Sequence, residues 1–293
     1  MHFKKQLKNM FRNSIRLKIG TPAKEIPGGT RFGGAPDVPA DFEWPVFTGE
    51  WYGEGMGTRK ERPLSFLAQF DCAGLAAYDA DGLLPHTGLL SFFYEVETQR
   101  WGYDPKDAGC ARVFWFEDAA PLHRMEPPAA LREEHPPYTL PDFGVFPPLK
   151  IALESVPSLP GAADYICLLP GLAPGDWARF EKERAMFGME PEGQISKLLG
   201  WPDVIQSNMT TECELVSRGY YLGDAWADVP DAEIREAERS SFEGWRLLFQ
   251  LDSLQEGGVD LMFGDCGRIY FYIRTEDLKA RRFDRTWLIL QCD

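Results

Sequence analysis

A chain of 293 residues that is 44% hydrophobic and 13% aromatic can bury a sizeable core, which excludes a disordered or fibrous protein. Its formal net charge of −14 argues against nucleic-acid binding through phosphate contacts and favours basic partners. The six cysteines are scattered without a Cys-x-x-Cys pair, and no apolar run approaches the length of a membrane span. Neither a zinc site nor a disulfide framework nor a signal peptide is expected, and a cytoplasmic protein without cofactor or metal follows.

Residues 1–18 carry six basic groups and no acid, leaving −20 on the rest of the chain against −14 overall. Phe3, Leu7, Met10, Phe11 and Ile15 recur at helical spacing and predict a basic amphipathic helix over 1–18. Such a helix either lies on a membrane surface or docks its apolar face on the acidic body. Residues 20–62 are rich in Gly and Pro and read as an ordered irregular loop, with Phe32 and Trp44 as anchors. From Phe66 to Asp71 the pattern alternates, with Leu67, Gln69 and Asp71 on one face of a strand. Aromatic strands follow at 90–94 and 112–116, and the Pro-rich stretch 119–148 reads as an excursion that cannot hold a central strand.

A short strand is expected at 150–154, and a helix over 175–188 with Asp176 as its N-cap. Another helix runs from Asp228-Val229-Pro230 to about Ser240. The last strands, 245–252, 269–273 and 287–291, resemble the first set position by position. Phe66-Leu67-Ala68-Gln69-Phe70-Asp71 aligns with Leu247-Leu248-Phe249-Gln250-Leu251-Asp252, and Gly88 aligns with Gly267. Upstream, Gly34-Ala35-Pro36-Asp37 aligns with Gly200-Trp201-Pro202-Asp203. Four matches in one order imply a two-fold duplication with a period near 180 residues, too long for a solenoid repeat. The expected fold is α+β, mostly antiparallel β with a few helices. Its two pseudo-symmetric halves (about 19–118 and 149–293, separated by 119–148) form one compact domain over 19–293.

Several motifs together resemble the YwqG-like family, bacterial proteins of unassigned function. They are Phe32-Gly33-Gly34 with Pro36 and Pro39, Trp44-Pro45, Phe66-Leu67-Ala68-Gln69, Leu198-Leu199-Gly200-Trp201-Pro202-Asp203 with Gln206, and Leu248-Phe249-Gln250-Leu251-Asp252-Ser253. Gly264-Asp265-Cys266-Gly267 and Leu290-Gln291-Cys292 complete the set. The chain departs from the family pattern at Phe263, where a Trp is expected, and in the 119–148 excursion. The resemblance implies an antiparallel-rich α+β fold in a bacterial intracellular setting and brings no catalytic residues. An association of some members with toxin systems hints at an immunity-type role.

Catalytic chemistry finds little support. The four histidines are not spaced as a metal pair, and neither Gly-x-Ser-x-Gly nor a phosphate-binding loop is present. Whether the protein is an enzyme stays open, with the weight against it. Carboxylates are the remaining candidates: Asp37, Asp71, Asp252, Asp260 and Asp265 would line one cleft if the halves face each other, although each also suits a turn cap. Gln69 and Gln250 point to ligand hydrogen bonding or an internal polar lock between the halves. The binding candidates are Trp44, Gln69, Asp71, Trp201, Gln206, Gln250, Asp252 and Asp265. Two functions follow: a non-enzymatic module whose acidic cleft captures a basic protein, or a small polar ligand-binding protein or hydrolase using carboxylates in a cleft between the halves.

Overall fold

The computed structural model describes residues 3–50, 57–118, 121–133, 144–165, 173–187, 195–223 and 226–293. The first half of the chain supplies helix α1 (Phe3–Lys8) and strands β1 (Arg12–Pro22), β2 (Arg31–Phe32), β3 (Asp37–Val38), β4 (Val46–Glu50), β5 (Arg59–Pro63) and β6 (Ser65–Asp71). Helix α2 (Cys72–Leu75) and strands β7 (Leu89–Tyr94), β8 (Ala111–Phe116) and β9 (His123–Arg124) follow. Then come β10 (Leu149–Ser158), α3 (Ala162–Tyr165), α4 (Pro174–Ala185), β11 (Lys197–Leu199), α5 (Met209–Ser217) and α6 (Asp231–Gly244). The chain finishes with β12 (Trp245–Asp252), β13 (Arg268–Arg274), α7 (Thr275–Lys279) and β14 (Trp287–Gln291).

Ten strands form one antiparallel sheet in the order β14-β13-β12-β11-β1-β10-β2-β6-β7-β8. The long pair β1 and β10 lies at its centre, from Arg12 opposite Ser158 to Pro22 opposite Leu149. Strand β1 then pairs with β11, Ile15 opposite Leu198, while β10 pairs with β2, Leu149 opposite Phe32. The two wings curl until their inner faces meet. The Phe92 ring on β7 lies 4.7 Å from Phe249 on β12 and 5.2 Å from Phe271 on β13, and Phe70 on β6 reaches Phe249 at 5.8 Å. The barrel-like sheet is nearly closed by the 95–110 connection, where the Trp101 carbonyl accepts the Leu290 N–H at 3.0 Å. Gly102 is needed there. Its φ is +80°, and a Cβ would stand 1.8 Å from the Leu288 carbonyl oxygen.

Both wings are covered on their outer faces, which is why their strands are apolar on two sides rather than alternating. Phe42 and Trp44, in the chain between β3 and β4, pack on Phe93 and Phe114, and the Trp44 Nε1–H donates to the Leu64 carbonyl at 2.9 Å. On the other wing α5 carries Met209 and Cys213 onto Leu247, Tyr270, Tyr272 and Ile289. The central pair is different: Arg16, Lys18, Lys150 and Glu154 face solvent and Ile15, Leu17 and Leu149 face the core.

The helix expected over 1–18 is corrected. Only Phe3–Lys8 is helical, and residues 12–18 belong to the central strand. Phe3, Leu7, Phe11 and Ile15 are spaced by four, which satisfies a helical face and a strand face alike, and Ile15, Leu17 and Ile19 settle it by alternating. The short α1 does dock, with Phe3 edge-on to Phe180 of α4 at 5.5 Å. The strand expected at 150–154 is ten residues long and central. In α4 the cap is Ala173, and Asp176 stands three residues inside, accepting the Ala173 N–H at 3.1 Å. The β4–β5 hairpin lies within the stretch expected to be irregular. Residues 119–120 and 134–143 of the Pro-rich excursion lie outside the described residues.

Behind the second wing lie two buried acids that have no ion-pair partner among the described residues. Asp164 on α3 accepts from Asn208 Nδ2 at 3.2 Å, and Glu212 on α5 accepts from the Ser207 hydroxyl at 2.6 Å. Burial pushes both carboxyls up to about 7; for Asp164 the Gly161 N–H, Arg12 and Asn208 oppose it, and for Glu212 the Ser207 hydroxyl does. A carboxyl whose folded pKa is raised holds its proton where the unfolded chain has lost it. Its contribution to stability is therefore present below about pH 4 and is lost as pH rises to 7. Thermal unfolding at pH 5.5 and 8 checks this: Asp164→Asn and Glu212→Gln should each stabilise the protein at pH 8, on the order of 1–3 kcal/mol. Their advantage should shrink at pH 5.5, and equal effects at both values would refute the assignment.

Candidate functional site

Two buried glutamines organise the polar interior. Gln69 on β6 accepts the Asp37 N–H at 3.0 Å and donates through Nε2 to the Asp37 carboxylate at 2.8 Å and the Gly29 carbonyl at 2.9 Å. Gln250 on β12 accepts the Asp203 N–H at 2.9 Å and donates to the Asp203 carboxylate at 2.9 Å and the Ile195 carbonyl at 2.7 Å. A cation completes each set. Arg31 Nη1 meets Asp37 Oδ2 at 3.0 Å, and Lys197 Nζ meets Asp203 Oδ2. Two residues further along each strand, the Asp71 N–H donates to Thr30 Oγ1 and the Asp252 N–H to Ser196 Oγ. Burial works to raise the Asp37 carboxyl, but the Gln69 amide and Arg31 outweigh it and hold the group below its ordinary range. Burial lowers Lys197, and the Asp203 carboxylate resists that shift.

These glutamines therefore spend their amide groups on the Gly-x-Pro-Asp turns of their own wings. Three of the candidate carboxylates, those of Asp71, Asp252 and Asp260, are engaged as well. Asp71 caps α2 through the Ala73 N–H at 3.1 Å, and Asp252 accepts from Arg268 Nε at 2.9 Å and from the Ile195 N–H at 3.2 Å. Asp265 is exposed, and its backbone carbonyl accepts the Asp293 N–H. Asp260 accepts from Gln255 at 3.0 Å. Asp37, Asp71, Asp252 and Asp260 thus sit, among the described residues, in separate hydrogen-bond sets. Among the described residues, no group of three His, Cys, Asp or Glu side chains is placed to hold a metal ion. Gln206 bonds the Cys292 carbonyl at 2.8 Å and Tyr103 at 3.3 Å, and Trp44 packs on Phe93.

Trp201 alone of the eight candidates lines a broad cleft of about 800 Å³. The cleft lies beside the start of β1, the Gly200-Trp201 turn and the junction of α6 with β12. The Arg12 guanidinium lies 3.4 Å from the centre of the Trp201 ring, and Phe242 packs on that ring at 5.2 Å. Backbone bonds hold the stack in place. The Trp201 N–H donates to Ser158 Oγ at 3.0 Å, that hydroxyl donates to the Arg12 carbonyl at 3.2 Å, and the Trp201 indole N–H donates to the Met10 carbonyl at 2.6 Å. Gly200 permits the approach: its φ is +77°, and a Cβ would lie 2.5 Å from Ser158 Oγ.

The guanidinium of Arg12 has no hydrogen-bond or ion-pair partner among the described residues. Burial, together with the nearby Arg246, pulls it down to about 9 despite Glu243 and Asp164. Its neighbours are occupied: Arg246 pairs with Glu243 at 3.0 Å, and Arg281 donates to the Leu83 and Leu84 carbonyls. Four cations (Arg12, Arg246, Lys279, Arg281) line the cleft against two acids, Asp81 and Glu243. The lining of this cleft is therefore net positive, in contrast to the acidic overall charge. Sequence reasoning missed Arg12 because a helix was assigned across it, and no spacing rule joins it to a Trp 189 positions away.

The lock at Gln250 should carry stability rather than binding. Gln250→Leu strands the Asp203 N–H and carboxylate and the Ile195 carbonyl, and should cost about 3 kcal/mol in urea unfolding. Gln206→Leu, with fewer buried partners, should cost about 1 kcal/mol.

No functionally curated protein matches the chain. Residues 30–292 match the family described as a domain of unknown function, DUF1963, so the chain belongs to that family.

Proposed function

We propose that the protein is a non-enzymatic binding protein that holds a small anion in the Arg12–Trp201 cleft. The observation that carries this reading is the Arg12 guanidinium, stacked on Trp201 and with no hydrogen-bond or ion-pair partner among the described residues, beside an 800 Å³ space. A desolvated cation is costly unless an anion meets it, and a guanidinium fixed by stacking presents its planar fork ready for an oxyanion. The candidate carboxylates lend little support to a hydrolytic role, since Asp37, Asp71, Asp252 and Asp260 are taken up by backbone groups, amides or cations of the fold and Asp265 is exposed. Along with this we infer that the chain is a duplicated, YwqG-like unit of bacterial intracellular origin. The bonds of Gln69 and Gln250, which agree partner for partner, support the duplication.

A second reading, capture of a basic partner protein, is favoured by the net charge of −14 and would use the outer surface rather than this cleft. Native mass spectrometry of the freshly purified full chain separates the two. On the first reading the wild type retains a small anionic species that Arg12→Gln loses, and the change leaves the unfolding midpoint nearly unchanged. A small molecule retained equally by both proteins would sink it. A stoichiometric basic protein released by salt would instead support the second.

A further inference from the structure

The same part of the fold offers an internal comparison that narrows the ligand. Arg12 stands three residues before Ile15, which pairs with Leu198, and Trp201 stands three residues after Leu198. On the other side of the sheet centre, Leu149 pairs with Phe32; the residue three before Leu149 is Phe146, and the one three after Phe32 is Ala35. Phe146 and Ala35 also line a cleft, of about 560 Å³. There Phe146 packs on Phe32 at 5.4 Å and fills its place with an apolar ring. The fold therefore builds this corner with a phenylalanine at the position matching Arg12 and an alanine at that matching Trp201. Arg12 and Trp201 are not demanded by the sheet.

The walls of the Arg12 cleft are as informative as its charge. Met10, Phe11, Leu83, Phe242 and Leu278 share it with Trp201, so a charged end and an extended apolar lining lie in one space. Phe11, edge-on to Phe187 at 5.4 Å and 38% exposed, supplies an accessible apolar rim to the cleft. An inorganic ion would use the guanidinium and leave these walls wet. A molecule filling a space of this size would contact both.

We propose, resting on the anion-binding reading above, that the cleft is built for an amphipathic organic oxyanion: a carboxylate or phosphate head on Arg12 with an apolar body along Phe11, Leu83 and Leu278. Carboxylate and phosphate share the two-oxygen edge that a guanidinium grips, and the probes below tell them apart.

The test is titration of the full chain by calorimetry with decanoate, phenyl phosphate, acetate and inorganic phosphate, on wild type, Arg12→Gln and Leu278→Asp. Decanoate or phenyl phosphate should bind at least tenfold more tightly than the small anion bearing the same head. The stronger of the two identifies the head group. Arg12→Gln should weaken that probe about 10- to 100-fold. Leu278→Asp should weaken it while leaving the small anions within about twofold. Because Leu278 is buried, its variant is paired with Phe11→Ser at the exposed rim, which should act in the same direction in a folded protein. Small anions binding as well as their amphipathic counterparts would overturn the ligand class and leave the anion site standing. Decanoate bound equally by wild type and Arg12→Gln would overturn the head-group assignment. Silence from all four probes would overturn both readings.

Discussion

The pairing of β1 with β10 is the contact on which the rest of the molecule depends. Each of these strands hands the sheet on to a short strand far from it in sequence, β1 to β11 and β10 to β2. The wings then extend from those short strands by antiparallel pairing. Because the wings curl toward each other, aromatic rings from both meet in one core, and Phe92 touches Phe249 and Phe271 directly. Cutting the central ladder would therefore remove the frame that brings the two wings face to face. It would also detach Ser158 of β10, whose hydroxyl links the Trp201 N–H to the Arg12 carbonyl beside the cleft.

The polar interior follows from the same frame. A two-residue or three-residue strand gives little ladder bonding of its own, and the turn after it must be fastened by side chains. Gln69 and Gln250 do this, each bonding both the N–H and the carboxylate of the aspartate that ends the Gly-x-Pro-Asp turn. A glutamine suits the place because its amide offers a donor and an acceptor on one rigid end. The cation beside each aspartate balances a charge that burial would otherwise disfavour.

Much of this architecture is legible in the sequence, and the parts that are not have physical reasons. Strands β6, β7, β12 and β13 stand out because aromatic and branched residues recur over short runs bounded by glycine. Strand β1 was hidden because apolar residues four apart fit two periods, and its basic residues suggested a helix surface. Helix α5 has no polar face to betray it: all of its residues except Ser217 are buried. The Gln–Asp pairs could be suspected from repeated motifs, but not their pairing within a wing. The Arg12–Trp201 stack could not be read at all, since it depends on β1 reaching across to β11.

The order of the central strands has a bearing on how the chain reaches its native state. Ile15 must wait for Ser155 and Leu198, partners 140 and 183 residues downstream. Until both are available, β1 is an unpaired strand with an apolar edge, and the first wing has no central ladder to lean on. Folding rates fall as contacts become more distant in sequence, so assembly of this sheet is governed by a late closure rather than by its local hairpins. An interval with exposed strand edges is also an interval of vulnerability to aggregation. The basic residues on the solvent side of β1, Arg16 and Lys18, put charge on that strand while it waits.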